Sequence, residues 1–293
     1  MHLLTSLVKR RFARKRVLPL VNQCNAVRLV NGELWCCQND GRILVLDQYL
    51  TQKYCLENKS WGDVYDVTEL WNQEVVLTGG GGIFHLSAAG NVLHVIDCDL
   101  SYCRCVVIDS TVYACGRRAC CHLLKSFVFS NFCGWRFQII KRMGLNCFHE
   151  ETDTLWYETR PSRVLVRDNQ RRDDMSLVAS ASDLLLCFAD SKEVMILSKT
   201  GDVKSTCCVK GDFEIGPISN PRICGVDAEG SILVLDDVMS ALHVRDVTGS
   251  WRQLRLDFDR PAKFNTLNDA LLHNGALYLI CDDRRVLTLY TAS

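Results

Sequence analysis

Short apolar strands separated by tight turns recur along this chain at a nearly constant interval. Comparable strand positions fall near Val27, Val64, Cys105, Leu145, Leu177, Ile223 and Asp269. The interval averages roughly 40 residues, which is the length of one small antiparallel sheet of four strands. A lone sheet of this size cannot bury both of its faces. The repetition therefore restricts the chain to folds in which similar sheets pack against one another.

The clearest unit begins at Pro221 and contains four predicted strands, at residues 223–226, 232–235, 242–244 and 251–258. Its first turn begins with Asp227 and ends with Gly230. An aspartate at the start of a turn accepts hydrogen bonds from backbone N–H groups, and a glycine at its end takes a positive φ without strain. The first unit has the same character, with hairpin signals at Asn31-Gly32 and Asp40-Gly41.

Seven such units predict an all-β, seven-bladed β-propeller over residues 17–293, and six blades are the alternative because the fourth unit is weak. The strands of that weak unit are predicted at residues 145–148, 155–157 and 164–166. The last unit has only three strands, at residues 269–272, 277–280 and 286–290. Residues 17–21 can supply the missing strand and close the ring, and Pro19 suits such an edge position.

Residues 1–16 form a predicted basic arm that precedes the propeller. Lysine plus arginine and aspartate plus glutamate both total 34, so no net field points to nucleic acid. The arm nevertheless concentrates positive charge at Lys9, Arg10, Arg11, Arg14, Lys15 and Arg16. We interpret it as a solvated arm or linker end. A nuclear-import or phosphate-binding patch and a mitochondrial presequence are the alternatives.

The chain contains 17 cysteines and no C-x-x-C pair. Adjacent pairs such as Cys36-Cys37 lie in predicted strands, where neighbouring side chains point to opposite faces. The pattern favours reduced core thiols in a cytoplasmic protein over a disulfide framework or a zinc site, so no metal and no cofactor is expected. A nuclear location, suggested by the arm, is the alternative. No apolar run reaches 18 residues, and a membrane span is therefore not expected.

The unit at Pro221 resembles an NHL repeat. The matching positions are Pro221, Gly225, Val226, Asp227, Gly230, Ile232, Val234 and Asp236. The Asn-His-Arg trio of the repeat is replaced here by Met239, Ser240 and Ala241. The first unit matches more loosely, through Asn39, Gly41, Val45 and Asp47. NHL propellers often form the C-terminal part of tripartite-motif ubiquitin ligases, so the resemblance implies a recognition domain of that kind.

A WD repeat fits less well, since no Gly-His or Trp-Asp pair occurs. Gly79 to Gly82 suggests kelch, but that doublet does not recur.

No motif predicts catalysis, and the candidate polar residues have structural interpretations. Four histidines lie in predicted strands, where packing is the expected role: His85, His94, His122 and His243. Aspartates at strand ends are expected to cap turns: Asp47, Asp97, Asp227, Asp236 and Asp246. Gly79 to Gly82 is expected to be a turn between strands, because no Gly-Lys-Ser or Gly-Lys-Thr follows.

The sequence therefore predicts a non-catalytic platform that binds a protein partner as a monomeric domain. RNA binding is the alternative, because some NHL propellers bind RNA on a basic face. That face would combine the arm with Arg160, Arg163, Arg167, Arg171 and Arg172. An enzyme with its active site in the central channel is a third hypothesis, and it requires converging acidic residues or histidines there.

Overall fold

A computed structural model describes residues 12–70, 72–97, 101–108, 111–118, 121–130, 134–143, 175–180, 183–188, 193–199, 202–208, 218, 221–227, 229–236, 241–254, 256–257, 267–281 and 284–292. Apart from one 3-10 turn at Lys59–Trp61, the elements of these residues are β-strands. The predicted all-β class is confirmed. None of the described residues belongs to a helix long and apolar enough to cross a membrane.

Five blades of four consecutive strands follow an N-terminal strand, β1 (Phe12–Pro19). Blade one is β2 (Cys24–Val30), β3 (Glu33–Gln38), β4 (Arg42–Leu46) and β5 (Gln52–Glu57). Blade two is β6 (Val64–Glu69), β7 (Val75–Gly79), β8 (Gly82–Leu86) and β9 (Val92–Asp97). Blade three is β10 (Ser101–Ile108), β11 (Thr111–Arg118), β12 (Cys121–Ser130) and β13 (Gly134–Met143). Blade four is β14 (Met175–Ser180), β15 (Asp183–Phe188), β16 (Glu193–Leu197) and β17 (Val203–Cys208). Blade five is β18 (Pro221–Val226), β19 (Ile232–Asp236), β20 (Ala241–Arg245) and β21 (Trp251–Gln253).

The remaining strands are β22 (Leu256–Asp257), β23 (Leu267–His273), β24 (Ala276–Cys281) and β25 (Val286–Ala292). Together with β1 they form a five-stranded closure sheet in the order β22-β1-β25-β24-β23. The innermost strands β2, β6, β10, β14, β18 and β23 contact one another in that order, and β23 contacts β2. The five blades and the closure sheet therefore close into a ring, and the chain is a β-propeller.

The hydrophobic core of the described residues lies between neighbouring sheets of the ring. Trp35 of blade one and Trp61 beside blade two share one such cluster, in which both side chains are fully buried. Cys36 and Cys37 confirm the expected alternation, because Cys37 packs towards blade two and Cys36 packs towards the closure sheet. Each sheet thus buries both faces only when it has a neighbour on each side.

The predicted blade count is wrong. The structure has five four-stranded blades instead of seven. The alternative of six equivalent blades is also wrong, because the remaining sheet has five strands and combines β1 with four strands from the other end of the chain. The predicted fourth unit falls within residues 144–174, outside the described residues. Strand β10 of blade three contacts β14 of blade four directly, and Tyr113 packs with Leu184 and Leu186 between them. This contact leaves no place in the ring for a further blade between blades three and four.

The predicted closure by both chain ends is present. Strand β1 pairs antiparallel with β25, and Leu18 lies opposite Leu287. The strand begins earlier than predicted, because Phe12 is fully buried in the cluster between blade five and the closure sheet. Residues 12–16 of the predicted arm are therefore part of the sheet. The predicted strand at 251–258 is split, since β21 ends at Gln253 and β22 pairs parallel with β1.

The loop between the third and fourth strands has the same five-residue form in four blades. Its first residue donates a backbone hydrogen bond to the fifth, at Asp47 to Thr51, Ser87 to Asn91, Ser198 to Asp202 and Asp246 to Ser250. The side-chain oxygen of the first residue also accepts a bond from the backbone N–H of the fifth. These shared bonds place the blades in a common register, so that positions in one blade can be compared with those in another.

Gly81 permits a close approach of backbone that a larger residue would block. Its N–H donates to the carbonyl of Trp61 at 3.0 Å, and a Cβ built on it would overlap the carbonyl oxygen of Ser60. Gly81→Ala is expected to destabilise the protein by about 1–3 kcal/mol, because backbone must shift to relieve the overlap. Gly80→Ala is the matched control, since its Cβ would lie an ordinary 3.5 Å from the nitrogen of Asp63. Urea unfolding of both variants measures the difference, and equal losses would contradict this account.

Candidate functional site

The innermost strands carry β-bulges that redirect their side chains. In five of these strands among the described residues the pairing skips one residue, at Asn25, Tyr65, Cys103, Cys224 and Asn268. A bulge bends the strand and re-aims the residues beside it. Polar side chains next to the bulges consequently meet across sheet boundaries at the channel.

Arg28 of blade one joins two neighbouring sheets through their carboxylates. Its Nη1 donates to Oδ2 of Asp269 in the closure sheet at 2.7 Å. Its Nε lies 2.7 Å from Oδ1 of Asp66 in blade two, as an ion pair without the alignment of a hydrogen bond. The Arg28 side chain is 21% exposed, whereas the two carboxylates are almost fully buried. The three residues form a channel ion cluster that spans three sheets.

The two carboxylates of the channel ion cluster also bind backbone. Oδ2 of Asp269 accepts a hydrogen bond from the N–H of Val27 at 3.1 Å. Oδ2 of Asp66 accepts one from the N–H of Cys105 in blade three at 3.2 Å. These contacts are made between neighbouring inner strands, so the polar groups of the channel hold the sheets together.

Burial and neighbouring charges together set the pKa values of Asp66 and Arg28. Burial raises the pKa of Asp66 above its ordinary value, and the neighbouring Arg28 and Arg104 only partly offset the effect. Burial alone would lower the pKa of Arg28, but Asp269 and Asp66 outweigh it and the pKa is raised. Arg28 therefore remains charged.

The thiols near the channel are protonated at neutral pH. Burial raises the pKa of Cys37 and Cys105 well above the usual value, and it raises the pKa of Cys224 to about 12. The thiolate is the nucleophilic form of cysteine, so these groups are poor nucleophiles. The cysteines whose side chains the structure describes carry free thiols, and most of them are buried, as predicted. No three side chains of His, Cys, Asp or Glu form a metal-binding group within the described ranges.

The structure describes only some of the basic residues that were predicted to contact RNA. Arg14, Lys15 and Arg16 lie on β1. The Arg16 side chain donates to the carbonyl of Tyr49 and to the hydroxyl of Thr51. The other predicted RNA-contacting residues lie outside the described residues: Lys9, Arg10, Arg11, Arg160, Arg163, Arg167, Arg171 and Arg172. The basic face therefore stays a prediction.

Three of the five predicted turn caps are confirmed. Asp47, Asp227 and Asp246 each accept two backbone hydrogen bonds within their turns. Asp236 is instead buried at the end of β19, and the side chain of Asp97 lies outside the described part of the chain. Gly79 and Gly82 flank a turn between β7 and β8, as predicted.

His243 is buried on β20, and neither of its ring nitrogens has a hydrogen-bond partner among the described residues. Burial lowers its pKa, although the charge of Asp236 acts in the opposite direction. The pKa of His85 is also lowered, again mainly by burial. In the common register, Leu44 and Phe84 occupy the position of His243 in blades one and two.

These lowered pKa values predict a loss of stability in mild acid. The unfolded chain binds more protons than the folded chain below about pH 6.5, so stability should fall as the pH drops from there through the folded pKa values. His243→Leu is expected to reduce this acid loss, because the apolar residue of the other blades has no proton to gain. Thermal unfolding between pH 7.5 and 5 measures the effect. If the variant loses as much stability in acid as the parent, His243 does not cause the acid sensitivity.

The outer strand of blade two exposes an apolar surface that the sequence analysis did not single out. On β9, Val92, Leu93 and Val95 are 38%, 43% and 55% exposed. We call these three residues the β9 apolar edge. Beside them the ring of His94 stacks on that of buried His85, with centroids 5.5 Å apart. In the sequence, this surface could have been recognised from residues 92–96, Val-Leu-His-Val-Ile. They follow a turn of the shared form but contain no lysine, whereas the strands after this turn in blades one and four do.

Comparisons with known proteins support the fold alone. Virginiamycin B lyase from Staphylococcus aureus has a TM-score of 0.59 at 8% identity, over 94% of this chain and 98% of that one. The WD40 domain of Pan2 from Neurospora crassa has a TM-score of 0.53 at 9% identity, over 92% and 75%. A structural genomics protein of unknown function from Bacteroides thetaiotaomicron has a TM-score of 0.66 at 11% identity, over 96% and 72%. No family model and no curated protein matches the sequence. The chain thus has a β-propeller fold like those of both a lyase and a WD40 domain.

Proposed function

We propose that this propeller is a non-catalytic platform that binds another protein through the outer surface of blade two. The observation that carries the proposal is the β9 apolar edge, where three apolar side chains of a single strand face solvent. Scattered apolar residues are normal on a surface, whereas three exposed apolar side chains within four positions of one outer strand favour an interaction site.

The polar residues of the channel also support a non-catalytic role. Its buried carboxylates are engaged by Arg28 and by backbone N–H groups of neighbouring strands. A general base needs an unengaged group with a pKa near the working pH. The channel ion cluster therefore suits a structural joint, and a rigid ring of this kind suits the display of an external surface. The recognition domain of a tripartite-motif ubiquitin ligase, which the NHL resemblance implies, is one setting for such a platform.

Site-specific photo-crosslinking tests the proposal. A photoreactive residue in place of Val95 is expected to form discrete protein adducts in cells that express the chain. Thr206 is the matched control, because it occupies the same register position on exposed β17 of blade four. Each adduct partner is then purified and its affinity measured by calorimetry. Absence of adducts at 95, or equal adducts at both positions, would overturn the proposal. Capture of RNA that weakens with salt would favour the alternative instead.

A further inference from the structure

The outer strands of two blades are fastened by a lysine that reaches back across its own sheet. In blade one the pairing of β4 with β5 skips Lys53, which forms a β-bulge. The ammonium of Lys53 binds Oε1 of Glu33, the first residue of β3, and the hydroxyl of Tyr54 donates to Oε2 at 2.8 Å. Both oxygens of this carboxylate are therefore in use.

Blade four repeats this lysine–acid clip. The pairing of β16 with β17 skips Lys204, and its ammonium binds Oδ1 of Asp183, the first residue of β15. In blade five the cation Arg252 follows the shared loop at the same sequence spacing. A cation after this loop is therefore the common arrangement in blades one, four and five.

Blade two keeps the acid of the clip but lacks the cation. The pairing of β8 with β9 skips Leu93, so an apolar side chain occupies the place of Lys53 and Lys204. Glu74 takes the place of Glu33, immediately before Val75 at the start of β7.

Only one of the two carboxylate oxygens of Glu74 has a hydrogen-bond partner among the described residues. Its Oε2 lies 2.6 Å from Nε2 of His85. Its Oε1 has no partner among the described residues, and the side chain is 29% exposed. The neighbouring ring of His94 is exposed, so an incoming group can approach this side of the blade.

Resting on the proposed function above, we propose that Glu74 receives a lysine or arginine side chain from the bound protein, while apolar residues next to that cation pack on the β9 apolar edge. The partner segment would replace the missing bulge lysine of blade two. Charge complementarity selects this occupant, because Glu74 presents a carboxylate without a cation on one face of the blade. Leu93 takes the place of the clip lysine, and Val92 and Val95 are exposed on the other face of the same outer strand, so the partner segment would cross the outer edge of the blade.

Recognition proceeds through side chains and not by addition of a strand to the sheet. Strand β9 carries two irregularities in its pairing with β8, at Leu93 and at Ile96. Bulges twist an outer edge away from a regular ladder and so discourage an added strand. The cation and its apolar neighbours, not a run of backbone hydrogen bonds, would then determine the affinity.

A random heptapeptide display library panned on the intact chain tests the inference. Peptides enriched on the parent are expected to share a lysine or arginine adjacent to apolar residues. The enriched peptide is synthesised and its affinity measured by fluorescence anisotropy. Leu93→Lys, which rebuilds the clip within the blade, and Glu74→Gln, which removes the acceptor charge, should each weaken binding roughly tenfold or more. Both residues are partly exposed, and thermal melts of each variant verify the fold.

The outcomes separate this inference from the broader proposal. If adducts form at position 95 but neither variant changes the affinity, the lysine–acid recognition is wrong and the platform stands. If the enriched peptides lack a cation, the inference fails in the same way. If no adduct forms and no peptide is enriched, both proposals fail. Lys204→Leu in blade four is the control substitution and should leave peptide affinity unchanged, since that blade lacks the His85 contact.

Discussion

Replacing Arg28 with methionine is expected to lower the stability of the propeller by about 3–5 kcal/mol, or the melting temperature by roughly 6–15 °C. The substitution keeps much of the side-chain bulk but removes the cation that contacts both buried carboxylates, so Asp269 loses this ion pair and Asp66 keeps only the nearby charge of Arg104 to offset its burial. Breaking one member of a buried ion cluster costs far more than the net gain from forming it, because desolvation of the remaining charges is no longer offset.

The pH dependence of this loss follows from the carboxylate of Asp66. The pKa of Asp66 is already raised by burial in the parent, and removal of Arg28 should raise it further. A raised folded pKa means that the folded state holds its proton more tightly, so the penalty of the variant should shrink as the pH is lowered towards 4.

Arg42→Met is the matched control for this prediction. Arg42 pairs with Glu57 at 3.3 Å on the outer surface, and both side chains are well exposed. Exposed ion pairs contribute about 0–1 kcal/mol. Calorimetric melts of the two variants at pH 7 and pH 4.5 provide the comparison. Equal effects of the two substitutions would mean that the channel ion cluster does not join the sheets.

Replacing Phe12 with alanine is expected to cost about 3–5 kcal/mol, the loss typical of a fully buried phenylalanine. Phe12 is completely buried at the boundary between blade five and the closure sheet, where it packs with Leu254 and Tyr290. Phe12 and the following Ala13 are the residues of β1 that pair with both β22 and β25. The substitution therefore weakens the contact by which the chain ends close the ring.

Val17→Ala serves as the control, because Val17 lies on the same strand and is 46% exposed. It should change stability by less than about 1 kcal/mol. Guanidinium unfolding gives both values, and hydrogen exchange at β25 reports local opening of the closure sheet. A small cost for Phe12→Ala, with β25 still protected, would show that β1 is dispensable for closure.

The local elements were predictable because they depend on near neighbours in the chain. Alternation of apolar residues and the Asp-to-Gly turns located most strands of all five blades. Asp47, Asp227 and Asp246 were predicted as caps and are caps, since an Asx turn requires only residues within four positions. The pairing of the two chain ends was also predictable, because a three-stranded last unit would leave an unpaired edge.

The candidate site was not predictable in the same way. The channel ion cluster joins Arg28 to Asp269 across 241 positions, and no local pattern relates them. The role proposed for Leu93 is visible only in the structure. There a bulge places Leu93 at the position where blades one and four carry a lysine that binds an acid at the start of the second strand.

The sequence by itself determined the strands, the turns and the closure of the sheet by both ends, because short-range sterics and hydrogen bonding specify them. Only the tertiary structure decided the number of blades. That number depends on which sheet faces pack together, and the direct contact of β10 with β14 excludes a blade between them. The tertiary structure also decided which charges meet, because burial and the register of separate sheets, not sequence spacing, place a carboxylate beside its cation or leave it without one.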